Sequence, residues 1–348
     1  MNVLVTGGAG FIGSHLCEIL LARGCRVSVI DDLSTGRYEN IEHLESNGNF
    51  ELIIDTILNK PLIENLTKSS DLIFHLASAV GVRLILEQPV KTIETIVEGT
   101  TVVLSQARRY RKKVILTSTS EVYGKGSKVP FSEDDDTLLG PTTTRRWAYA
   151  AAKTIDEFLA LAHWYETRLP ITCARLFNTV GPRQTGQYGM VIPRFVENAL
   201  NGKDIIVYGD GEQTRSFCHV KDVVVALVNL SSCPDALGRV VNIGNNQEVT
   251  INHLAERVKE LSGSPSNIIH IPYESAYEEG FEDMKRRVPD LTLARELIDF
   301  RPKHSLDDIL AGVIEEHRAM LEHANTTRKV QAISRAASIQ RSLRQSAQ

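Results

Sequence analysis

Met1-Asn2-Val3-Leu4-Val5-Thr6-Gly7-Gly8-Ala9-Gly10-Phe11-Ile12-Gly13 opens the chain, and its reading decides the fold. A short apolar run passes into glycines, and these pass into the amphipathic stretch Ser14 to Arg23, so the order is strand, turn, helix. Glycines at such a turn let backbone approach a pyrophosphate, while the free amides of the helix start receive its negative charge. Gly7, Gly10 and Gly13 are spaced one residue wider than G-x-G-x-x-G, although Gly8, Gly10 and Gly13 satisfy that pattern. A second strand, Arg26 to Ile30, ends in Asp31-Asp32, at the separation where an acid meets the adenosine ribose of a dinucleotide. Negative charge there repels a ribose 2′-phosphate, which favours NAD over NADP. Gly7, Gly10, Phe11, Ile12, Gly13, Asp31 and Asp32 are therefore the first candidate cofactor residues.

Outward from this unit, apolar runs at Leu52 to Ile54, Leu72 to Leu76, Val114 to Ser118 and Ile171 to Phe177 alternate with helical stretches. The expectation is an α/β fold, a Rossmann-like doubly wound parallel sheet with helices on both faces. Asp55 closes one run and His75-Leu76-Ala77-Ser78 the next; Asp55, Leu76, Ala77 and Ser78 are placed beside the ligand because strand carboxyl ends border the crevice. After Gly181-Pro182 the polar stretch 183–189 breaks the pattern and marks a crossing into a smaller C-terminal α/β lobe. The expected division is 1–178, with 220–245 returning to it, against 179–219 and 246–322. Residues 323–348, basic from Arg328 onward, are expected to form a mobile or loosely helical tail.

A formal charge of -4 over 348 residues offers no basic field for nucleic acid. Apolar runs are too short for a bilayer, and the N-terminus enters a strand with no leader pattern, so a cytoplasmic protein is expected. Cys17, Cys25, Cys173, Cys218 and Cys233 lack pair or histidine spacing, so free thiols are expected, with neither disulfides nor a metal site.

Arg146-Trp147-Ala148-Tyr149-Ala150-Ala151-Ala152-Lys153 places Tyr149 and Lys153 four apart in a helical segment, on one face. An ammonium near a phenol lowers its pKa from roughly 10 and makes it a working base. Between this pair and the glycine loop lies Thr-Ser-Thr-Ser-Glu-Val-Tyr-Gly at 117 to 124.

With these motifs the chain resembles the extended short-chain dehydrogenases/reductases that act on nucleotide sugars. The resemblance runs from Met1 to about Glu322 and includes Leu176-Phe177-Asn178, Gly181-Pro182-Arg183, residues 209–217, Val220-Lys221-Asp222-Val223 and Val241-Asn242-Ile243-Gly244. It implies an NAD-binding Rossmann half, a lobe holding a nucleoside diphosphate sugar, and a homodimer formed through Gly99 to Arg109 and Ala150 to Tyr165. Tyr149 would take the proton of the sugar 4-hydroxyl while carbon 4 gives up hydride; Lys153 would tune Tyr149 and touch the nicotinamide ribose; Thr119 would bond the same sugar oxygen. By the same resemblance Asn178 and Arg287 reach the diphosphate, Val191 and Ile192 the base, and Val207 and Tyr208 the uridine.

The fate of the 4-keto sugar depends on the residues after Thr119. Dehydratases of the family carry Thr-Asp-Glu, with the aspartate protonating a departing hydroxyl; simple 4-epimerases usually have small or hydroxyl residues at both positions. Thr119-Ser120-Glu121 instead resembles the UDP-glucuronate decarboxylases, and Arg215 suits the charged end of such a substrate, since guanidinium holds carboxylate or phosphate oxygens bidentately. The implied activity is decarboxylation of UDP-glucuronate to a UDP-pentose, with Thr119, Ser120, Glu121, Tyr149, Lys153 and Arg215 catalytic. A 4-epimerase of UDP-glucuronate or UDP-glucose is the alternative, ahead of a 4,6-dehydratase or a non-catalytic NAD-binding regulator. Ile96 stands where relatives often carry asparagine, and Ser78-Ala79-Val80-Gly81-Val82-Arg83 lacks the prolines of UDP-xylose-forming enzymes.

Overall fold

The computed structural model describes residues 1–79, 87–186, 190–272, 286–322 and 326; the expectations for 80–83 and the basic tail fall outside them. β1 (Asn2–Thr6) sends Val3 and Val5 into one apolar cluster and Leu4 into another, because successive strand side chains point to opposite faces. α1 (Phe11–Ala22) begins at the glycine loop itself rather than at Ser14, with Gly10 as its N-cap. β2 (Arg26–Asp31), β3 (Phe50–Ile54), α2 (Lys60–Ser69), β4 (Leu72–His75), α3 (Pro89–Arg109), β5 (Lys113–Thr119), α4 (Trp147–Thr167) and β6 (Ile171–Leu176) complete the first half. Ile96 is buried on α3, so an apolar residue there is packed rather than left without a bond.

The chain then crosses outward through β7 (Thr179–Val180), α5 (Val191–Leu200), β8 (Ile205–Tyr208), β9 (Thr214–Ser216) and β10 (Cys218–His219). α6 (Val220–Ser232) and β11 (Val240–Ile243) bring it back to the sheet, and β12 (Glu248–Thr250), α7 (Ile251–Ser262), β13 (Ile268–Ile271), α8 (Thr292–Ile298) and α9 (306–322) follow.

Seven parallel strands run in the order β11-β6-β5-β4-β1-β2-β3. The strand order reverses between β1 and β4, which opens a crevice at their carboxyl ends. One face is covered by α1 and α6, through Leu16, Leu20, Val223 and Leu227; the other by α2, α3 and α4, through Ile63, Val103, Leu104 and Ala160. This is the doubly wound architecture read from the sequence.

The outer segments form a separate apolar cluster in which Phe195, Val196, Ile205, Leu254, Val258 and Leu310 meet. One stretch assigned to that lobe belongs elsewhere. Leu291, Ala294 and Phe300, around α8, pack into the cluster under α1 and α6, so 291–300 completes the Rossmann side of the sheet.

Candidate active site

Gly7 has a positive φ of 75°, and a Cβ on it would stand 2.7 Å from the Ala77 backbone nitrogen at the end of β4. A Cβ on Gly13 would stand 2.1 Å from the Gly7 oxygen, so the loop folds tightly onto the first turn of α1. Gly10 differs. Its Cβ would meet only the Gly7 oxygen, at 3.2 Å, and otherwise points into open space along a cavity of about 750 Å³. No side chain caps α1, which leaves its first-turn amides for an anion. Asp31, at the end of β2, accepts from the Ala9 and Leu33 amides, both at 2.9 Å, and so ties the loop to the second strand. Burial pushes its carboxyl up, against those backbone donors. Asp32 accepts from Ser34, and Asp55 from Thr56 and Asn59. A glycine cradle open to the cavity, uncapped amides and an acid at the second strand fit a dinucleotide.

Gly7, Gly10, Phe11, Ile12, Gly13, Asp31, Asp32, Asp55, Leu76, Ala77 and Ser78 all line this cavity, as do Thr119, Ser120, Glu121, Tyr149, Lys153, Asn178, Val191, Ile192, Tyr208, Arg215 and Arg287. Val207 does not. β8 alternates, so Tyr208 faces the cavity and Val207 is fully buried in the lobe core. Asn178 donates to the Ser216 carbonyl at 2.9 Å, which pins it between the two halves. Tyr188 lies outside the described residues.

β5 ends at Thr119, whose hydroxyl accepts from the Glu121 amide and starts a short turn over Ser120–Tyr123. Tyr123 is structural: it stacks on Phe131 and donates to Asn242 at 2.8 Å. That turn aims Glu121 at two arginines, Arg287 at 2.6 Å and Arg146 at 3.3 Å. Burial opposes ionisation of Glu121, but Arg287, Arg146 and Arg215 outweigh it and hold the carboxyl below its usual range. Three guanidinium groups thus act on one carboxylate, a grouping suited to an anionic substrate.

Tyr149 and Lys153 share one face of α4, as their spacing requires. The Lys153 ammonium is turned to Asp156, at 2.8 Å, with both groups buried. Burial and then the Glu121 charge push the Tyr149 phenol up, and the Thr119 and Ser78 hydroxyls only partly offset them.

Arg146, Asp156 and Arg194 were not among the expected site residues. Arg146 lies one helical turn before Tyr149, and Asp156 three residues after Lys153, so helical spacing alone places each beside its neighbour. Arg194 lines the cavity with its guanidinium 4.4 Å from the Tyr208 ring centre. Only the folded lobe brings that pair together.

A dinucleotide cradle opening onto a tyrosine, a lysine and a cluster of arginines defines a short-chain dehydrogenase/reductase with room for a second, anionic nucleotide. The chain belongs to the family described as GDP-mannose 4,6 dehydratase, which matches residues 4–313. It is 43% identical over 316 residues to a UDP-N-acetyl-alpha-D-glucosaminuronate decarboxylase of Bacillus cytotoxicus, across 90% of this chain and 97% of that one. It is 38% identical to UDP-glucuronic acid decarboxylase 1 of Xenopus tropicalis, across 92% of this chain and 73% of the relative. Its structure resembles that of UDP-glucuronic acid 4-epimerase from Bacillus cereus in complex with UDP-glucuronic acid and NAD. That match has a TM-score of 0.82 at 29% identity and covers 92% of this chain and all of the other.

Proposed function

We propose that the protein is an NAD-dependent decarboxylase of UDP-glucuronate that yields a UDP-pentose. The observation that carries this is Glu121, kept ionised among Arg146, Arg215 and Arg287 beside an uncharged Ser120. NAD held by the glycine loop and Asp31 would supply a hydride acceptor for sugar carbon 4. Tyr149 accepts the 4-hydroxyl proton and Thr119 orients that oxygen. The 4-keto sugar is a β-keto acid, so its carboxylate can leave as carbon dioxide without an acid to expel a hydroxyl; Ser120 stands where a dehydratase needs one. Arg215 orients the carboxylate-bearing ring, Arg287 and Asn178 take the diphosphate, and Glu121 orders the group that reprotonates carbon 5; return of the hydride to carbon 4, with the Tyr149 proton going back to its oxygen, would then give the UDP-pentose and restore the oxidised cofactor.

Similarity to decarboxylases over most of the chain supports this reading. A 4-epimerase is the second reading, favoured by the likeness to the Bacillus cereus epimerase, and it would use the same Tyr149, Lys153 and Thr119. Purified protein offered UDP-glucuronate, UDP-N-acetylglucosaminuronate, UDP-glucose and UDP-N-acetylglucosamine separates these by product mass and proton spectra. UDP-galacturonate as sole product from UDP-glucuronate, with no carbon lost, overturns decarboxylation.

We also assign a homodimer and a cytoplasmic site of action. α3 and α4 pack together and leave Ile93, Ile155, Phe158 and Tyr165 exposed, Phe158 by 70% of its surface, as apolar area that a second copy would cover. Five free cysteines, four of them buried, suit a reducing compartment. Among the described residues no helix is long and apolar enough to cross a membrane.

A further inference from the structure

Behind the wall that carries Thr119, one buried arginine ties together the elements that build the site. Ser118 on β5 and Arg175 on β6 are register partners on neighbouring parallel strands, and both reach Glu157 on α4. The Ser118 hydroxyl donates to Glu157 Oε1, while Arg175 grips the same carboxylate with two prongs, Nε 3.0 Å from Oε1 and Nη2 2.7 Å from Oε2. Arg175 Nη1 donates to the Glu133 carbonyl at 3.1 Å, and the guanidinium lies 4.8 Å from the centre of the Tyr123 ring. The Tyr123 hydroxyl in turn donates to Asn242, whose backbone N–H donates to Glu133 Oε1 at 2.8 Å. Ser118, Tyr123, Glu157, Arg175 and Asn242 are all buried.

Neither Glu157 nor Arg175 lines the cavity, and the proposed chemistry uses neither. A buried ion pair adds little net stability, because both charges must be taken out of water and well-packed apolar residues could fill the same space. What a two-pronged pair adds is direction, since the flat guanidinium fork fixes the orientation of the carboxylate it holds. α4 carries Tyr149, Lys153 and Glu157 four apart on one face, and it packs directly on β5 and on the turn that follows. Thr119 follows Ser118 at the end of β5, and Glu121 stands two residues before Tyr123 in that turn. We propose that Arg175 and Glu157 are positioning residues: their pair fixes α4 against the end of β5 and its turn, and so sets Tyr149 in register with Thr119 across the sugar oxygen that both must meet.

This inference rests on Tyr149 and Thr119 acting on the sugar 4-hydroxyl. The experiment compares wild type, Ser118→Ala, Arg175→Lys, their double variant and Tyr149→Phe, each loaded with NAD and mixed with UDP-glucuronate. Hydride transfer is read in a single turnover as the rise of NADH absorbance per NAD-loaded site, beside KM, NAD affinity and melting temperature. Lysine keeps the charge of Arg175 but cannot make two parallel bonds, whereas Ser118→Ala releases one edge of the carboxylate and leaves the ion pair in place. A misplacement of about 1 Å costs about a hundredfold in rate, so Arg175→Lys should slow hydride transfer by about ten- to a hundredfold and Ser118→Ala by about three- to tenfold, with KM and NAD affinity within about twofold of wild type. The double variant should lose less than the product of the two, because both act through Glu157. Residues that only hold the fold would lower the melting temperature and the NAD-loaded fraction and leave the rate per loaded site in place. An unchanged rate per loaded site in Arg175→Lys, or in Ser118→Ala where Arg175→Lys does not fold, overturns the positioning role. Wild-type hydride transfer in Tyr149→Phe overturns instead the assignment of the base, and this inference with it, so the two failures are distinct.

Discussion

Gly10→Ala separates the cofactor cradle from the fold that carries it. Gly10 has φ -71° and ψ 173°, a conformation any residue adopts, and its new Cβ would meet only the Gly7 oxygen at 3.2 Å. A shift of a few tenths of an ångström relieves that contact. Alanine is a poorer N-cap than glycine by about 0.5–1 kcal/mol, and it restricts the unfolded chain by a similar amount, so the melting temperature should move by no more than about 2–4 °C. The methyl group, however, stands in the cavity where backbone must approach a pyrophosphate. Hydrogen bonds to charged groups contribute about 1.5–3 kcal/mol each, so displacing the phosphates from one amide weakens NAD binding by about 10- to 150-fold. Gly13→Ala is the contrasting variant: its Cβ would lie 2.1 Å from the Gly7 oxygen and 2.8 Å from the Gly8 Cα, a backbone overlap that should lower stability by about 1–3 kcal/mol or more. Calorimetric NAD titration and thermal melting read both effects. A Gly10→Ala protein that binds NAD within twofold of wild type refutes the placement of the pyrophosphate on this loop.

Three further outcomes are expected. Tyr149→Phe should retain NAD and lose about a hundred- to ten-thousand-fold in turnover on the best UDP-sugar, and near wild-type turnover would remove Tyr149 from the mechanism. Glu121→Ala and Arg215→Ala should each slow release of labelled carbon dioxide from carboxyl-labelled UDP-glucuronate while NAD affinity stays unchanged; equal rates in both variants would contradict their roles. Glu18 bonds Arg183, His43 and His15, and although burial opposes its ionisation these partners hold its pKa down at about 2. A depressed folded pKa stabilises above the unfolded value of 4.5 and is lost as pH falls toward 2. Because a third of the side chain meets solvent, the wild-type advantage over Glu18→Gln should be about 1 kcal/mol at pH 5 and vanish near pH 2 in urea titrations. An advantage that grows on acidification would contradict this sign.

Local pattern determined the Rossmann half, the glycine turn, Asp31 at the end of its strand and the shared face of Tyr149 and Lys153. Strand alternation and helical spacing are properties of neighbouring residues, and the loop glycines are demanded by contacts with the next turn. Even there the limit shows, since one residue of register decides that Tyr208 lines the cavity and Val207 does not. The electrostatics were decided only by tertiary structure. Glu121 is kept ionised by Arg146 at the start of α4, Arg215 on β9 and Arg287 just before α8, and charge interactions act across space rather than along the chain. Lys153 reads as the partner of Tyr149 from spacing alone, yet packing also buries Asp156 against it, at 2.8 Å. The return of 291–300 to the Rossmann side has the same origin: α8 is apolar enough for either core, and only the uncovered flank beside β11 and α6 decides which one it joins.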